Sequence, residues 1–204
     1  GLLQLRPKQL GAYTEVSRQL LQQSTPDADA FVMDDLAKVL AVAIDKAAIA
    51  GSGASGQPTG ILSTSGIGSV TGTSLGLAGI LEFQTDVAAA NALDSNFAYL
   101  TTPLVAALLA QRQRFASTDT PLWQGNILDG EVMGFKAMSS NQMNAGTMIA
   151  GDFSQVILAD WSVVELDVNP YANFPAGIIG VRALVSIDVG LRYAAAFSYA
   201  SSIA

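Results

Sequence analysis

The longest regular pattern of apolar residues predicts a long helix near the start of the chain. Apolar residues recur every three or four positions from Phe31 to Ala47, which is the spacing of one helix face. Thr25 is a suitable N-cap, Pro26 fits the first helical position, and Gly51 is typical of the residue after a helix end. Because charged residues are sparse in this segment, most of the helix circumference is predicted to be covered.

The rest of the chain predicts three more helices and a series of short strands. Helical spacing returns at 78–92, and Thr102 with Pro103 begins a helix that runs to about residue 115. A short helix is predicted at 16–23, and residues 116–130 are predicted to form a loop. Strands are predicted at 2–5, 67–71, 96–101, 131–138, 147–150, 155–158, 163–168, 178–187 and 191–199. The fold class is therefore α+β, with a meandering antiparallel sheet in the second half.

Composition excludes several classes of site. The chain has no Cys and no His, which rules out disulfides, the usual zinc sites, Cys nucleophiles and Ser-His-Asp triads. Ten basic residues stand against seventeen acidic ones, and the tightest basic pair is Arg112 and Arg114. Direct binding to nucleic acid is not predicted, because phosphate contacts require clustered basic side chains.

Hydropathy points to burial between subunits. Half of the residues are apolar, more than a lone soluble domain needs. No apolar run approaches the about 20 residues of a membrane-spanning helix, and no signal-peptide pattern is present. The chain begins with Gly1 rather than Met, so we expect a trimmed or proteolysed product.

One glycine pattern matches a nucleotide-binding motif. Gly51, Gly53 and Gly56 have the spacing G-x-G-x-x-G, which in dinucleotide-binding proteins follows a strand and opens a helix. Here a predicted helix precedes the glycines, so no helix N-terminus would meet a phosphate. We interpret the segment as a helix end followed by a loop.

Carboxylate pairs are the next candidates for chemistry. The pairs are Asp34 with Asp35, Asp129 with Glu131, and Glu165 with Asp167. Two carboxylates on one strand face could bind a cation or transfer protons. Because no other polar groups converge on them, we interpret them as solvated faces or salt bridges.

Arginine offers a further candidate. Arg182 and Asp188 lie on the same side of one predicted strand, and Arg192 follows shortly after. A catalytic arginine needs a ligand-shaped pocket, and the sequence around these residues does not predict one. Ion pairing across a sheet or at a subunit contact is therefore the prediction.

Neither tryptophan nor serine adds a predicted active site. Trp123 and Trp161 are predicted to be core or interface anchors. Ser17, Ser139 and Ser140 could act as nucleophiles only with a Lys base, and the sequence places no Lys beside them. No catalytic, cofactor-binding or metal-binding residue is predicted.

Three blocks of the chain carry a resemblance to a known family. They are the predicted long helix with its flanks (16–62), the segment 129–141, and the segment 151–155 together with the closing run 181–197. In this order they span nearly the whole chain. They resemble the major capsid proteins of tailed phages with the Hong Kong 97-like fold.

The resemblance implies a domain organisation. Residues 1–74 would form the first part of a peripheral domain, with a strand, a short helix, the spine helix and the Gly-rich loop. Residues 75–151 would form an axial domain with an antiparallel sheet, and 152–204 the remaining peripheral strands and the chain end. An N-terminal arm and a hairpin, the E-loop, would precede the chain, and residues 1–10 resemble the strand returning from that hairpin.

Some members of the family crosslink subunits through a Lys–Asn isopeptide bond promoted by a Glu. With Phe174 as the anchor of the alignment, the corresponding positions are Gly177 and Ala183. The hairpin that bears the Lys would lie outside the chain. Self-crosslinking is therefore not predicted.

The resemblance implies a structural role rather than catalysis. Copies would assemble as pentamers and hexamers into an icosahedral shell around double-stranded phage DNA, without sequence-specific binding, cofactor or membrane. Scaffold, portal and maturation protease would be partners, and the protein would be in the host cytoplasm before assembly and in the virion afterwards. The alternatives are an encapsulin-type nanocompartment shell and a metal-dependent α+β enzyme using Glu165 and Asp167.

Overall fold

The computed structural model describes residues 3–19, 28–115 and 119–204. Its helices are α1 (Ala28–Ala50), α2 (Leu77–Ala89) and α3 (Pro103–Gln111). The strands are β1 (Lys8–Ser17), β2 (Gly68–Thr71), β3 (Phe97–Thr101), β4 (Trp123–Gly125), β5 (Asp129–Val132), β6 (Phe135–Ser139), β7 (Met148–Asp152), β8 (Val156–Asp160), β9 (Glu165–Asn173), β10 (Ile178–Leu191) and β11 (Phe197–Ser201). No helix in these ranges is long and apolar enough to cross a membrane.

A four-stranded antiparallel sheet is built around the long strand β10. Strand β1 pairs along one side of β10, from Lys8 opposite Ile187 to Ser17 opposite Ile178. Strands β9 and β8 pair in succession along the other side. Helix α1 covers one face of this sheet, where Leu36 and Leu40 join the β10 side chains Val181 and Val185 in one buried cluster.

A second sheet has seven strands in the order β2-β11-β7-β3-β6-β5-β4. The predicted antiparallel meander is wrong for two of its pairings, because β2 with β11 and β3 with β6 are parallel. Parallel neighbours need a crossover connection, and α3 together with β4 and β5 lies between β3 and β6 in the chain. Strands β2 and β11 lie outside the segment 75–151 that contains the other five strands.

Both faces of the seven-stranded sheet are covered at its centre, where every residue of β3 and β7 is buried. Helices α2 and α3 pack on one face in a cluster that includes Phe83 and Tyr99. The other face meets the end of α1 in a cluster that includes Ile49 and Phe197. This second cluster joins the two sheets.

Most predicted elements are confirmed, with ends that shift by a few residues. Helices α1, α2 and α3 and strands β2, β3 and β7 to β10 match predicted segments. The predicted cap of α3 is confirmed, since the Thr102 side chain accepts a hydrogen bond from the Val105 amide. Thr25 and Pro26 lie outside the described residues.

Several predicted elements differ from the structure. Residues 3–7 precede the first strand, which begins at Lys8 and continues through Val16 and Ser17, the first two residues of the predicted 16–23 helix. Arg18 and Gln19 are helical as predicted, and the rest of that helix, from Leu20, lies outside the described residues. The helix that follows Thr102 ends at Gln111, and β4 lies within the predicted 116–130 loop. Two predicted strands are also divided, 131–138 by a hairpin turn and 191–199 by a single helical turn at 194–196.

A local backbone preference explains why the predicted strand 131–138 is divided. Met133 and Gly134 both have positive φ values, of 50° and 86°, as a two-residue type I′ hairpin turn requires. The turn places Val132 opposite Phe135. The predicted strand 131–138 is therefore two strands, β5 and β6, joined by this turn.

Most of the circumference of α1 was predicted to be covered, but its outward face is exposed in the single chain. Within the chain only one face of the helix is covered, and several apolar side chains on other faces are exposed. Phe31 is 72% exposed, Val39 50% and Val42 48%. Some of the apolar side chains on which that prediction rested therefore lie at the surface of the single chain.

Candidate functional site

The Gly-rich loop after α1 closes a helix end. The amide of Gly51 donates to the Ala47 carbonyl, and the amide of Gly60 donates to the Gly51 carbonyl. A Cβ atom on Gly51 would lie 2.4 Å from the carbonyl oxygens of both Ala47 and Pro58. The glycines permit a close backbone approach at a helix C-terminus, so the geometry favours the structural interpretation over a phosphate cradle.

The carboxylate pairs do not gather into a site. Asp34 forms the i,i+4 ion pair with Lys38 on α1, and Asp129 lies 3.8 Å from the Lys136 ammonium across the β5–β6 hairpin. Glu131 is also directly opposite Lys136 in this hairpin. No group of three or more acidic side chains able to hold a metal occurs in the described ranges.

Ion pairs across the four-stranded sheet account for two of the predicted charged residues. The Arg182 guanidinium lies 2.7 Å from the Asp167 carboxylate on β9, and both side chains are more than half exposed. Asp188 pairs instead with Lys8 on β1, at 3.0 Å. The prediction of ion pairing across a sheet is confirmed for Arg182 and Asp188, while Arg192 is exposed.

Removing the exposed ion pair is expected to have a small effect. Arg182→Ala should lower the free energy of unfolding by less than about 1 kcal/mol, because two exposed charges gain little from pairing in water. Chemical denaturation of the variant and the native chain at low and high salt measures the difference. A loss well above that value at both salt concentrations would contradict an exposed pair.

Two buried carboxylates have unusual surroundings. Asp152 accepts hydrogen bonds from the amide and hydroxyl of Ser154 and from the Gln155 side chain. Asp188 accepts from two backbone amides and from Lys8. Burial alone would raise the pKa of each carboxyl, but these hydrogen bonds outweigh it, and both pKa values lie below the ordinary value.

Asp152 and Asp188 both have their hydrogen-bond partners within the described chain. Of the serine candidates, the Ser139 hydroxyl is buried without a partner, and the Ser140 hydroxyl accepts from the Gln142 amide. Trp123 is a core residue, 1% exposed, whereas Trp161 is 46% exposed. No base is hydrogen-bonded to the Ser139 or Ser140 hydroxyl, as nucleophilic catalysis would need.

Two cavities of the described chain have both polar and apolar lining residues. One of about 270 Å³ lies between the end of α1, the start of β1 and the Gly-rich loop, with Lys8, Lys46 and Gln57 in its lining. Another of about 240 Å³ lies beside the Arg182–Asp167 pair. Neither brings a nucleophile, a base and an oxyanion donor together, which a catalytic site requires.

The most distinctive surface is apolar and lies along β9. Its members are Val163, Val164, Leu166, Val168, Tyr171 and Phe174, all exposed and the last at the turn into β10. We call this set the β9 edge. Strand β9 pairs only with β10 among the described strands, so its other side offers unpaired backbone groups as well as apolar side chains.

Sequence reasoning missed the β9 edge as a functional surface, although one signal was available. Glu165 and Asp167 drew attention as a carboxylate pair, while Leu166 and Val168 were assigned only to a strand. Pro170 lies within β9 and cannot donate a ladder hydrogen bond. Proline within a strand indicates a sheet edge, and an edge strand rich in apolar residues indicates a surface that pairs or packs with another chain.

Gly177 and Ala183, the positions predicted to align with crosslinking residues, carry no side chain suited to an isopeptide bond. Gly177 is in the turn before β10 with a φ of 62°, and Ala183 is 1% exposed inside the sheet. The absence of self-crosslinking stays a prediction.

Comparison with known proteins identifies the class. The major capsid protein of Halomonas phage phiHAP-1 is 32% identical over 203 residues, which are 98% of this chain and 33% of that protein. The capsid of an empty GTA particle has a TM-score of 0.75 at 19% identity, covering 98% of this chain and 74% of that one. Gordonia phage Cozz gives a TM-score of 0.72 at 18% identity, covering 97% and 70%.

A long helix on a four-stranded sheet, joined to a second sheet flanked by helices, is the fold of Hong Kong 97-like capsid proteins, as predicted. The phage capsid family matches residues 1–201, and the chain belongs to that family. The prediction of a structural capsid protein is therefore confirmed at the level of the family. The chain spans about a third of the length of the curated relative.

Proposed function

We propose that this chain is the shell-forming part of a phage major capsid protein whose copies assemble into a closed icosahedral shell. The observation that carries the proposal is the β9 edge. In a member of the phage capsid family, a long edge strand with Val168 56%, Tyr171 70% and Phe174 74% exposed is surface that a second copy would bury. Repetition of such contacts around symmetry axes gives a shell its stability.

The two sheets support a division of the chain into a peripheral and an axial domain. The four-stranded sheet with α1 would be the peripheral domain. The seven-stranded sheet would be the core of the axial domain, with contributions from β2 and β11 beyond the 75–151 segment. The axial domain would meet its copies in pentamers and hexamers, where Leu104 and Leu128 are exposed apolar residues.

The contents and partners of the shell are part of the proposal. The shell would enclose double-stranded DNA without sequence-specific contacts, which fits a net charge of −7, since an acidic protein does not attract phosphates. A scaffold, a portal and a maturation protease would act with the protein during assembly in the host cytoplasm. The assembled product would be the virion.

Electron microscopy of the full-length protein, purified after expression alone, tests the proposal. Uniform hollow shells are expected, and their diameter distinguishes a large phage capsid from a small enzyme-enclosing compartment. If only dispersed particles form, co-expression with the proposed scaffold protein is the next measurement. Dispersed subunits under both conditions would contradict self-assembly.

A matched pair of variants tests the β9 edge itself. Phe174→Asp is expected to abolish shells, because a charge would be buried in an apolar contact. Phe174→Leu keeps the contact apolar and should still assemble. Since Phe174 is largely exposed in the single chain, both variants should keep the native circular dichroism spectrum and melting temperature of dissociated subunits. Normal shells from Phe174→Asp would exclude this residue from the interface.

A further inference from the structure

The ladder between β1 and β10 ends abruptly at its start. Lys8 is opposite Ile187, so the next residues in register would be Pro7 and Asp188. Proline has no amide hydrogen to donate to the ladder. The backbone pairing therefore cannot continue beyond Lys8 in the usual way, yet residues 3–7 remain close to β10.

The Asp188 carboxylate takes the place of the missing ladder bonds. It accepts a hydrogen bond from the backbone amide of Arg6 at 2.9 Å and one from the Lys8 ammonium at 3.0 Å. It also accepts one from the amide of Val189 at 2.9 Å. Asp188 is only 4% exposed, and charge-assisted bonds of this kind are stronger than neutral ones.

Two leucines of the same segment lie over the end of β10. A Cβ atom on Gly190 would be 2.8 Å from the Leu5 side chain and 3.1 Å from that of Leu3. Glycine at 190 therefore makes room for these side chains. Beyond it, the amide of Arg192 donates to the Gln155 carbonyl, and the chain leaves the four-stranded sheet for the seven-stranded one.

We propose that residues 3–7 form a strap, which Asp188 fastens over the end of β10 beside the junction between the two sheets. Asp188 is a positioning residue, because it holds the backbone of the strap. Gly190 leaves the space that the strap's two leucine side chains occupy. The strap fixes the path of the chain before β1 and restrains the junction at 190–192. In a shell, such a restraint would act on the angle between the two sheets of one subunit, a consequence that rests on the proposed function.

The charges around Asp188 keep the strap closed at neutral pH. The Lys8 ammonium faces the Asp188 carboxylate from β1, and Arg6 contributes its backbone amide. Asp160 on β8 is opposite Ile187, and Lys46 on α1 lines the cavity beside Lys8 and Ile187. The pKa of Asp188 is lowered from 3.8, so its stabilisation is present above that pH. It is lost only as the pH falls through the still lower folded-state pKa.

Hydrogen exchange of single amides in the full chain at pH 7 tests the strap. In Asp188→Ala, exchange of the Arg6 amide should become at least about tenfold faster, since a hydrogen bond to a charged acceptor is lost. Exchange at Arg192 should also become faster, while amides of α2 and β3 keep their native rates. Asp160→Ala is the matched control, because the Asp160 carboxylate accepts from the Ser162 amide rather than from the strap, and Arg6 should exchange there at the native rate.

A second variant separates the strap from general loss of stability. Gly190→Ala leaves Asp188 in place but pushes Leu5 outward, so the Arg6 amide should exchange faster while the Val189 amide stays protected. If Asp188→Ala accelerates all amides equally, Gly190→Ala decides between a strap and a purely global role. An Arg6 amide that exchanges at its native rate in Gly190→Ala, or in a folded Asp188→Ala, overturns the proposal.

Discussion

Phe97→Ala is expected to destabilise the folded chain by about 3–5 kcal/mol, the usual cost of removing a buried aromatic side chain. Phe97 is 1% exposed at the start of β3. Its ring makes edge-to-face contacts with Tyr99 at 5.1 Å and Phe135 at 4.8 Å between centroids. The substitution therefore leaves a cavity and also removes two aromatic contacts.

Phe31→Ala is the matched control, because it makes the same chemical change on a side chain that is 72% exposed. In dissociated subunits it should cost less than about 0.5 kcal/mol, as surface substitutions usually do. Urea denaturation of both variants measures the two changes in the free energy of unfolding. The dependence of that free energy on urea concentration should be the same for both. Similar losses for Phe97 and Phe31 would mean that β3 is not the centre of the core.

Local signals explain why the helices could be predicted from the sequence. Helix α1 has a continuous series of apolar residues and ends at Gly51, and α3 begins with Thr102 and Pro103. These signals depend only on residues within one or two turns, so tertiary context did not override them. The strands β7 to β10 were predictable for a similar reason, because turn residues separate short apolar runs.

The arrangement of the strands could not be predicted in the same way. That β11 pairs with β2 depends on residues about 130 positions apart in the chain, such as Tyr199 and Ser69, and no local pattern encodes such a partner. Val16 was assigned to a helix by spacing alone. It belongs to β1, because pairing with Ile179 on β10 outweighs a weak helical pattern.

The candidate site likewise has some features that could be predicted from the sequence and others that depend on the whole fold. The absence of Cys and His limits the chemistry of the chain through composition alone, and the ion pairing of Arg182 followed from its sequence context. The β9 edge was not recognised, because exposure is a property of the whole fold. Leu166 and Val168 look like core residues in sequence, and only the position of β9 at the sheet edge makes them surface.

Gly51→Ala is expected to destabilise the chain by about 3 kcal/mol, at the upper end of the cost of overpacking. The added methyl carbon would stand 2.4 Å from the carbonyl oxygens of Ala47 and Pro58. Both are backbone atoms, held by the helix end and by the loop bond from Gly53 to Pro58. Neither can move without displacing α1 or the loop, so the loss should appear in thermal and urea unfolding.

Gly56→Asn is the control within the same motif. Gly56 has a φ of 80° and no atom near the position of an added Cβ, and asparagine tolerates this conformation better than other residues. It should cost less than about 1 kcal/mol. If the glycines instead made room for a phosphate, Gly51→Ala would leave the free energy of unfolding unchanged and would weaken only ligand binding. A large loss at Gly51 beside a small one at Gly56 is therefore what separates a helix end from a nucleotide site.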